Sequence, residues 1–564
     1  MRKILGIHDG HNGSAALVAD GRLRFAIQEE RLTGVKNQGG MPAESLRAID
    51  EKFGLADVER VILAGERMNQ RCWSRDAIVR DYRNSTSPVN LLKQTLKKSR
   101  LVRRALTRAR RLGGMPRSVD RGRIACMDHH LSHAAAAYYG RGEYGRDVLV
   151  VTCDGSGDWR AGSVYRGRGG KLEPLISLEE GSSLGRVYSY FTYLYNMTPY
   201  EHEYKIMGLA PYCTDKERIA SCKAQLERLF AWNKDGTMWR YSGRYPAIQA
   251  AGRELAGIFR RFRFDVAAAG LQQFTEETLV RWIGSLAKAT GIGDVALSGG
   301  VFMNVKANKL IAECEGVRSC FVFPSCGDET NAIGAALAGW REATGENPEP
   351  LRDMYLGDEP IVGPDEITSL PGSVVRERPD DVEAAAARLL AQGQIVGRVK
   401  GPMEFGARAL GDRSILANPS RPETVRTINE MIKGRDFWMP FAPTVLQEDF
   451  ERYFRPCRSV VTYDYMTFAA ESLPEKREYC RAALHPYDHT GRPQTISRRS
   501  NPDYWRLLAA YKELTGEGLI LNTSYNLHGS PIVRTARQAI EVFLNSGLEH
   551  LALGEYLLHK KSDG

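Results

Sequence analysis

Three apolar runs in the first two-thirds of the chain each end in a glycine-rich turn, and this series most constrains the fold. Residues 4–7 lead into residues 8–13, residues 148–153 into Asp154-Gly155-Ser156-Gly157-Asp158, and residues 295–298 into Gly299-Gly300. Such runs predict buried β-strands, and the apolar run 15–18 after the first turn predicts a β-hairpin. At the third turn a strand ends in a glycine pair and a helix begins, so backbone N–H groups can closely approach a nucleotide.

The order of these turns resembles the phosphate-1, phosphate-2 and adenosine layout of the actin/hexokinase/Hsp70-like (ASKHA) ATPases. The resemblance implies an α/β, duplicated ATPase fold over residues 1–355. It also implies a nucleotide site whose residues are Gly155, Gly157, Lys205, Gly299, Gly300 and Asn304. For Asn304, a packing role within a helix remains the alternative.

The chain length predicts more than one domain. At 564 residues it is too long for a single hydrophobic core. Residues 346–372 are rich in proline, glycine and acidic residues, which is a linker composition. We therefore expect a linker over residues 356–375 and a second α/β domain over residues 376–564.

Composition indicates a globular protein of a reducing compartment. Hydrophobic residues make up 43% and charged residues 26% of the chain, which is ordinary for a globular protein. No apolar run approaches the roughly 20 residues that span a bilayer, and the apolar start is too short for a signal peptide. The ten cysteines contain no CxxC pair, which predicts reduced thiols. We expect a cytoplasmic protein.

The net charge of +10 comes from one segment. Residues 93–123 contain twelve Lys or Arg and one acid, Asp120, a charge of +11 that leaves −1 for the rest. Apolar residues in and just before this segment recur near helical spacing, which predicts a solvated basic helix in a surface insertion. Contact with an anionic membrane surface or an anionic substrate is the alternative. We expect no nucleic acid, because aromatic residues do not interleave the basic ones.

The segment from Asp128 to Tyr139 contains three histidines followed by four alanines, a pattern that predicts a helix. His129 and His133 are four residues apart and share a helix face, whereas His130 points roughly 100° away. Two imidazoles leave the coordination of a divalent metal incomplete. The sequence therefore predicts a metal site completed by Asp154 and Asp328, and a purely structural role for the histidines is the alternative.

Four segments of the second domain carry cations or amides at glycine-rich or strand-end positions. Together they predict a phosphate or carboxylate pocket, although each cation alone is more often a surface residue. The candidates are Arg408, Lys433, Arg492, Asn522 and Ser524.

These segments resemble the NodU/CmcH-type O-carbamoyltransferases, and they follow that family's order over nearly the whole chain. The matching segments are Asp9-Gly10-His11, Gln28-Glu29-Glu30-Arg31, His129-His130-Leu131-Ser132-His133, Asp154-Gly155-Ser156-Gly157-Asp158, residues 204–212, Ser298-Gly299-Gly300, Gly327-Asp328 and residues 522–526.

The resemblance implies a first domain like the universal threonylcarbamoyl-transfer protein and a YrdC-like second domain. The second would form carbamoyl-adenylate from carbamoyl phosphate and ATP with Mg²⁺, using the five candidates above. The first would transfer the carbamoyl group to a hydroxyl of a sugar or natural-product acceptor. It also implies that His129, His133, Asp154 and Asp328 bind a metal, usually iron, and that Asp9, His11 and Lys36 lie near the acceptor. His11 or Asp9 would act as the base.

Two other functions remain open at this point. A threonylcarbamoyl-type tRNA-modifying enzyme would account for the basic segment, but a YrdC-like half fused to the chain favours a small or glycan acceptor. A kinase, or an ATPase binding module of the same fold, would need neither the paired histidines nor the cations of the second domain. By base rate we expect a homodimer.

Overall fold

The computed structural model describes residues 2–66, 75–97, 113–434, 436 and 438–561. The chain forms two compact units. The first contains Met1–Glu29, Asn37–Leu351 and Arg458–Val461, and the second contains Glu30–Lys36, Arg352–Cys457 and Thr462–Gly564. Each unit thus includes one short segment from the other part of the sequence.

The first unit begins with a five-stranded sheet in the order β3-β2-β1-β4-β5. Its strands are β1 (Lys3–His8), β2 (Ser14–Ala19), β3 (Arg22–Gln28), β4 (Arg60–Ala64) and β5 (Ile124–Met127). The strands β1, β2 and β3 pair antiparallel, and β4 and β5 run parallel to β1. The pairing of β1 with β2 confirms the predicted hairpin.

A second sheet repeats this topology in the order β12-β11-β6-β7-β8. Its strands are β6 (Val148–Gly157), β7 (Arg160–Arg168), β8 (Lys171–Glu179), β11 (Asp294–Ser298) and β12 (Ser319–Val322). Here too the first three strands pair antiparallel, and the last two run parallel to the first. This duplication confirms the predicted ASKHA-type fold. The strands β9 (Phe230–Trp232) and β10 (Trp239–Tyr241) form a separate ribbon.

The helices follow the same duplication. After α1 (Glu30–Thr33), which belongs to the second unit, those of the first unit are α2 (Ala43–Phe53), α3 (Arg75–Arg83), α4 (Pro88–Leu96), α5 (His129–Arg141), α6 (Leu184–Leu194), α7 (Glu203–Leu209), α8 (Lys216–Glu227), α9 (Gly252–Phe259), α10 (Phe264–Thr290), α11 (Val305–Ala312) and α12 (Asn331–Thr344). The helices α5 and α12 each follow the last strand of a repeat and pack directly together. Gly334 of α12 allows this, because a Cβ there would overlap the carbonyl oxygen of Ser132.

The second unit is built on a mixed eight-stranded sheet in the order β13-β23-β22-β14-β15-β21-β16-β20. Its strands are β13 (Val374–Glu377), β14 (Val396–Val399), β15 (Arg413–Ala417), β16 (Ala442–Leu446), β20 (Gln494–Ile496), β21 (Leu519–Ser524), β22 (His550–Leu553) and β23 (Tyr556–Lys560). A small sheet contains β17 (Phe454–Arg455), β18 (Ala470–Ser472) and β19 (Thr490–Gly491).

Both faces of the large sheet are covered by apolar packing. The remaining helices are α13 (Pro364–Thr368), α14 (Val382–Ala391), α15 (Glu423–Thr427), α16 (Phe450–Tyr453), α17 (Arg477–Cys480), α18 (Pro502–Thr515) and α19 (Ala536–Leu544), with a π-helix at Ile428–Lys433. The helices α14 and α18 share one core with Leu416 and Ile520, while α19 shares another with Ile415 and Leu521. Adjacent strand residues point to opposite faces, which accounts for the two cores.

The segment expected as a linker, residues 356–375, packs within the second unit. It contains α13 and the first residues of β13, and Ile367, Leu370 and Val374 are buried in the core shared with α19. Composition favoured a linker because these apolar residues are sparse among proline, glycine and acids. Apart from Glu30–Lys36, the second unit begins at Arg352.

About half of the predicted basic segment 93–123 lies outside the described residues, because residues 98–112 are not among them. The helix α4 ends at Leu96, just before that gap. The nine described cysteines are all free thiols, and Cys72 also lies outside the described part. Across the described residues, no helix is both long and apolar enough to cross a membrane.

Candidate metal centre

The helix α5 presents its histidines from a well-defined start. Asp128 caps the helix, because its side chain accepts a hydrogen bond from the backbone N–H of Leu131 at 2.9 Å. Gly142 ends the helix in the left-handed conformation, with φ of 70°. The rings of His129 and His133 lie 4.8 Å apart between centroids, as their four-residue spacing predicts.

Two carboxylates complete a compact set with these rings. His129 Nε2 lies 3.1 Å from Asp154 Oδ2 and 3.5 Å from Asp328 Oδ1. His133 Nε2 lies 3.4 Å from each of the same two oxygens. One ligand atom from each residue lies within 4.8 Å of the others. The structure therefore brings together the four predicted residues, called the four-residue cluster below.

Glycines make this closeness possible. A Cβ at Gly157 would overlap the imidazole of His129, and one at Gly300 would lie 2.9 Å from Asp154 Oδ1. Gly299 adopts φ of 104°, and a Cβ there would overlap the carbonyl oxygen of Cys153. In contrast, a Cβ at Gly155 would meet nothing within 4 Å. Three of the four glycines predicted at the nucleotide are thus explained by packing around the cluster.

The electrostatics of the cluster suit a cation. Burial lowers the pKa of His129, but Asp328 and Asp154 outweigh it and raise that pKa to about 10. The pKa of His133 is also raised, because hydrogen bonds to Asp154 and Asp328 outweigh burial. Burial raises the pKa of Asp154, but both imidazoles hold it well below its usual range. The pKa of Asp328 is raised by burial and by repulsion from Asp154.

The donor set therefore fits a divalent metal. The two carboxylates stabilise the protonated form of both buried imidazoles, and a divalent ion would take the place of those protons. Two imidazole nitrogens with two carboxylate oxygens suit a first-row transition metal.

Three residues around the cluster were not predicted as site residues. His133 Nδ1 lies 3.3 Å from Ser298 Oγ, which orients the ring so that Nε2 faces the carboxylates. Asn331 Nδ2 lies 3.4 Å from His129 Nδ1 and 3.2 Å from His133 Nε2. His8 Nε2 lies 3.9 Å from Asp328 Oδ2. Only their nearness in sequence to predicted motifs could have pointed to them.

His130 has a separate role, as its spacing predicts. Its Nδ1 lies 2.9 Å from Thr152 Oγ1. Burial and the two neighbouring imidazoles push its pKa well below the usual value, so it is neutral. It packs α5 against β6 and is not a member of the four-residue cluster.

The turn expected near the acceptor adjoins this cluster. Asp9 is buried and His11 half-buried. His8 Nε2 lies 3.1 Å from the His11 carbonyl oxygen, and Asn12 Nδ2 donates to Glu329 Oε2 at 3.2 Å, next to Asp328. Lys36, the third residue expected there, belongs to the segment Glu30–Lys36 of the second unit.

Asn304 forms hydrogen bonds within the protein, which agrees with the alternative packing role. Its Nδ2 donates to Gln272 Oε1 at 3.0 Å, and its Oδ1 accepts from Gln272 Nε2 at 2.9 Å. The same oxygen caps α11 by accepting from the Ala307 N–H at 3.1 Å. Lys205, also expected at the nucleotide, is buried on α7.

The candidates of the second unit lie on segments that hydrogen bonds join. Asn522 Nδ2 donates to the carbonyl oxygen of Ala409 at 3.2 Å and to Gln494 Oε1 at 3.2 Å. Asn522 therefore ties the loop that carries Arg408 to the segment that carries Arg492. Ser524 follows two residues later on β21. The side chain of Lys433 lies outside the described residues.

A buried ionic network, also not predicted, lies in the same unit. Arg398 Nη2 donates to Glu383 Oε1 at 2.9 Å, and Arg398 Nη1 donates to Asp412 Oδ1 at 2.8 Å. Glu404 Oε1 accepts from the backbone N–H groups of Leu410, Asp412 and Arg413, where the chain enters β15. This network fixes the loop that carries Arg408.

Both units match known family models. The model described as "Carbamoyltransferase N-terminus" matches residues 3–337, and "Carbamoyltransferase C-terminus" matches residues 387–560. A solved structure, component A of the (R)-2-hydroxyglutaryl-CoA dehydratase of Acidaminococcus fermentans, covers 61% of this chain and 99% of its own at 15% identity, with a TM-score of 0.32. At that score the fold assignment rests on the strand order of the first unit itself.

Two relatives that match most of the chain, and a third that matches about half of it, agree with the family models. "Nodulation protein NolNO" of Sinorhizobium fredii is 33% identical over 98% of this chain and 79% of its own length. "Nodulation protein NolO" of Bradyrhizobium diazoefficiens is 34% identical over 77% of this chain and 79% of its own. The "3'-hydroxymethylcephem-O-carbamoyltransferase" of Amycolatopsis lactamdurans is 30% identical over 46% of this chain and 47% of its own. With both units matched, this chain belongs to the carbamoyltransferase family and is a carbamoyltransferase.

Proposed function

We propose that the protein is an ATP-dependent O-carbamoyltransferase in which the two units divide the reaction. In the second unit, with Mg²⁺, water hydrolyses carbamoyl phosphate to carbamate and phosphate, and a carbamate oxygen then attacks the α-phosphorus of ATP to form carbamoyl-adenylate as pyrophosphate leaves. The first unit transfers the carbamoyl group from the adenylate to an acceptor hydroxyl, and AMP leaves. The observation that carries this proposal is the four-residue cluster beside the turn of Asp9 and His11.

In this proposal His129, His133, Asp154 and Asp328 hold a divalent metal, iron(II) by family resemblance. When bound, the metal neutralises charge on the phosphate of the adenylate. Ser298 keeps the His133 ring in position, and the glycines beside Asp154 let the carboxylate and the imidazole approach.

The acceptor hydroxyl needs a base when it attacks the carbamoyl carbon. His11 and Asp9 are the candidates, because both lie on the turn next to Asp328. The hydrogen bond between His8 and the backbone of His11 holds that turn in place. The proton leaves the acceptor oxygen as its bond to the carbamoyl carbon forms, and the bond from that carbon to the adenylate phosphate breaks.

Adenylation requires that two anionic substrates be held together. Arg408, Lys433 and Arg492 supply cations for carbamoyl phosphate and the ATP phosphates, with Ser524 as a neutral donor. Asn522 positions these cations, because its hydrogen bonds link the segments that carry Arg408 and Arg492. The relative from Amycolatopsis lactamdurans supports a hydroxyl acceptor, since its name describes O-carbamoylation of a hydroxymethyl group. We propose a hydroxyl of a sugar or other natural product.

A product assay separates this function from a kinase or an ATPase of the same fold. Purified protein is incubated with ATP, Mg²⁺ and carbon-labelled carbamoyl phosphate, and the nucleotides and phosphates are quantified. The proposal predicts that pyrophosphate forms only when carbamoyl phosphate is present, in an amount equal to carbamoyl-adenylate and AMP together, because AMP leaves only when the carbamoyl group is transferred or hydrolysed. ADP formed without carbamoyl phosphate would exclude it and favour a kinase or ATPase.

A further inference from the structure

Arg186 lies in an unfavourable position for a cation. It occupies the first turn of α6, where its backbone N–H donates to the capping Ser183 Oγ at 3.1 Å. The start of a helix carries partial positive charge, so a cation there is repelled by the helix itself. Arginine at such a place calls for compensating negative charge nearby.

The described residues supply little of that charge. Among them no carboxylate forms a salt bridge with Arg186, although the exposed Asp81 acts on it through space. Arg186 Nη1 donates to Tyr82 Oη at 3.2 Å, while Nε is buried without an acceptor in the described part of the chain. The guanidinium carbon lies 5.8 Å from the Tyr82 ring and 5.4 Å from the Tyr200 ring. Aromatic faces attract a cation but do not neutralise it.

The position of Arg186 connects it to the reacting groups. Its neighbour Gly185 packs so closely on Gly155 that an added Cβ would lie 3.0 Å from that residue's Cα. Ser183 Oγ donates to the carbonyl oxygen of Asp154 at 3.1 Å. On the other side, the Tyr200 ring lies 5.3 Å from the ring of His11. Arg186 is thus held between the Asp154 turn and the His11 turn.

We propose that Arg186, framed by Tyr82 and Tyr200, binds an oxyanion of a substrate at the transfer site. The oxyanion is a phosphate or a carboxylate, which matches the planar donor array of a guanidinium. Two sources share this chemistry: the phosphate of the nucleotide, and an acidic substituent on the acceptor. The inference rests on the proposed carbamoyl transfer in one respect: that function brings both the nucleotide and the acceptor to the site beside Arg186.

The proposal predicts opposite effects of Arg186→Met on the free and the liganded protein. Methionine is of similar length and removes a partly buried charge that opposes the helix, so the free variant melts at the same or a higher temperature than wild type. The variant loses the oxyanion site, so anions no longer stabilise it. A purely structural arginine predicts the reverse, namely a less stable free variant with unchanged anion binding.

The test compares wild type, Arg186→Met, Arg186→Lys and Arg253→Met by thermal melting and calorimetry. Arg253 is an exposed arginine of the same unit and serves as the matched control. The probes are inorganic phosphate, AMP, D-glucuronate and, as the uncharged control, D-glucose. We expect Arg186→Met to weaken binding of at least one anionic probe about tenfold or more, with partial recovery in Arg186→Lys and no effect in Arg253→Met.

The probes also distinguish the two sources. An effect on AMP with none on D-glucuronate assigns the oxyanion to the nucleotide, and an effect on D-glucuronate with none on AMP or D-glucose assigns it to an acidic acceptor. Equal binding of every anionic probe by wild type and Arg186→Met, including no binding by either, would overturn the proposal. Turnover is not needed, so a failed carbamoyl transfer assay beside Arg186-dependent binding would reject the proposed function alone.

Discussion

His129 Nε2 lies 3.1 Å from Asp154 Oδ2, although the two residues are 25 positions apart and belong to a helix and a strand. This contact joins the two halves of the duplicated fold, since α5 closes the first repeat and β6 opens the second. Asp328, before the helix that closes the second repeat, completes the set.

Replacing both histidines, in His129→Ala/His133→Ala, removes both nitrogen ligands from the four-residue cluster. We expect purified protein to lose its transition metal, because two carboxylates alone bind such ions weakly. Metal analysis by mass spectrometry checks this. His130→Asn is the control, since His130 faces Thr152, and it retains the metal. Unchanged metal content in the double variant would show that the assignment of the site is wrong.

Ser298→Ala removes the hydroxyl that orients His133 through Nδ1. We expect metal affinity to fall about 10–100-fold, as is typical when the partner of a ligating histidine is lost. Competitive titration with a chelator measures this. Ser163→Ala is matched to it, because Ser163 is also a buried serine of the same sheet. Equal losses in the two variants would count against an orienting role.

Gly157→Ala and Gly155→Ala form a second matched pair. A Cβ at Gly157 overlaps the His129 ring, whereas one at Gly155 meets nothing within 4 Å. We expect Gly157→Ala to lower the free energy of unfolding by about 1–3 kcal/mol, as overpacking does, and to weaken metal binding. Gly155→Ala should change stability by less than about 0.5 kcal/mol. Chemical denaturation and metal titration provide both numbers, and the reverse order would contradict the steric argument.

Asp412 gives the second unit a dependence on pH. Burial raises the pKa of Asp412 from 3.8 to about 7, although Arg398 opposes the rise. The folded state therefore keeps a proton that the unfolded state has released. The stabilising effect of this proton is complete below about pH 4 and is lost as the pH rises through about 7.

We therefore predict that the loss of the Asp412 proton lowers the free energy of unfolding of the second unit between about pH 4 and pH 7. The decrease is at most about 1.4 kcal/mol per pH unit. Amide hydrogen exchange in β14 and β15 measures it. The variant Asp412→Asn cannot titrate, so its stability relative to wild type should rise with pH. A constant difference between the two proteins from pH 4 to pH 7 would be evidence against the raised pKa.

Local patterns in the sequence predicted much of the site. Helical spacing selects His129 and His133 over His130, and the strand–glycine turns predict where Asp154 lies. The contacts that orient the histidines could not be predicted from local patterns. Ser298 and Asn331 reach the two rings only after strands and helices that are distant in sequence pack together. The same holds for Asn304, whose partner Gln272 lies on a helix more than thirty positions earlier. The packing of residues 356–375 also depends on a core that their composition does not indicate.

The central claim is that adenylation and transfer occur in different units, and a rapid-quench experiment tests it most directly. Wild type, Asn522→Leu and His129→Ala/His133→Ala are mixed with ATP, Mg²⁺ and carbamoyl phosphate, and carbamoyl-adenylate is quantified by mass spectrometry in each. The account predicts that Asn522→Leu forms no adenylate, whereas the double variant forms it as fast as wild type and accumulates it. If the double variant forms no more adenylate than Asn522→Leu while remaining folded, the division between the two units is contradicted.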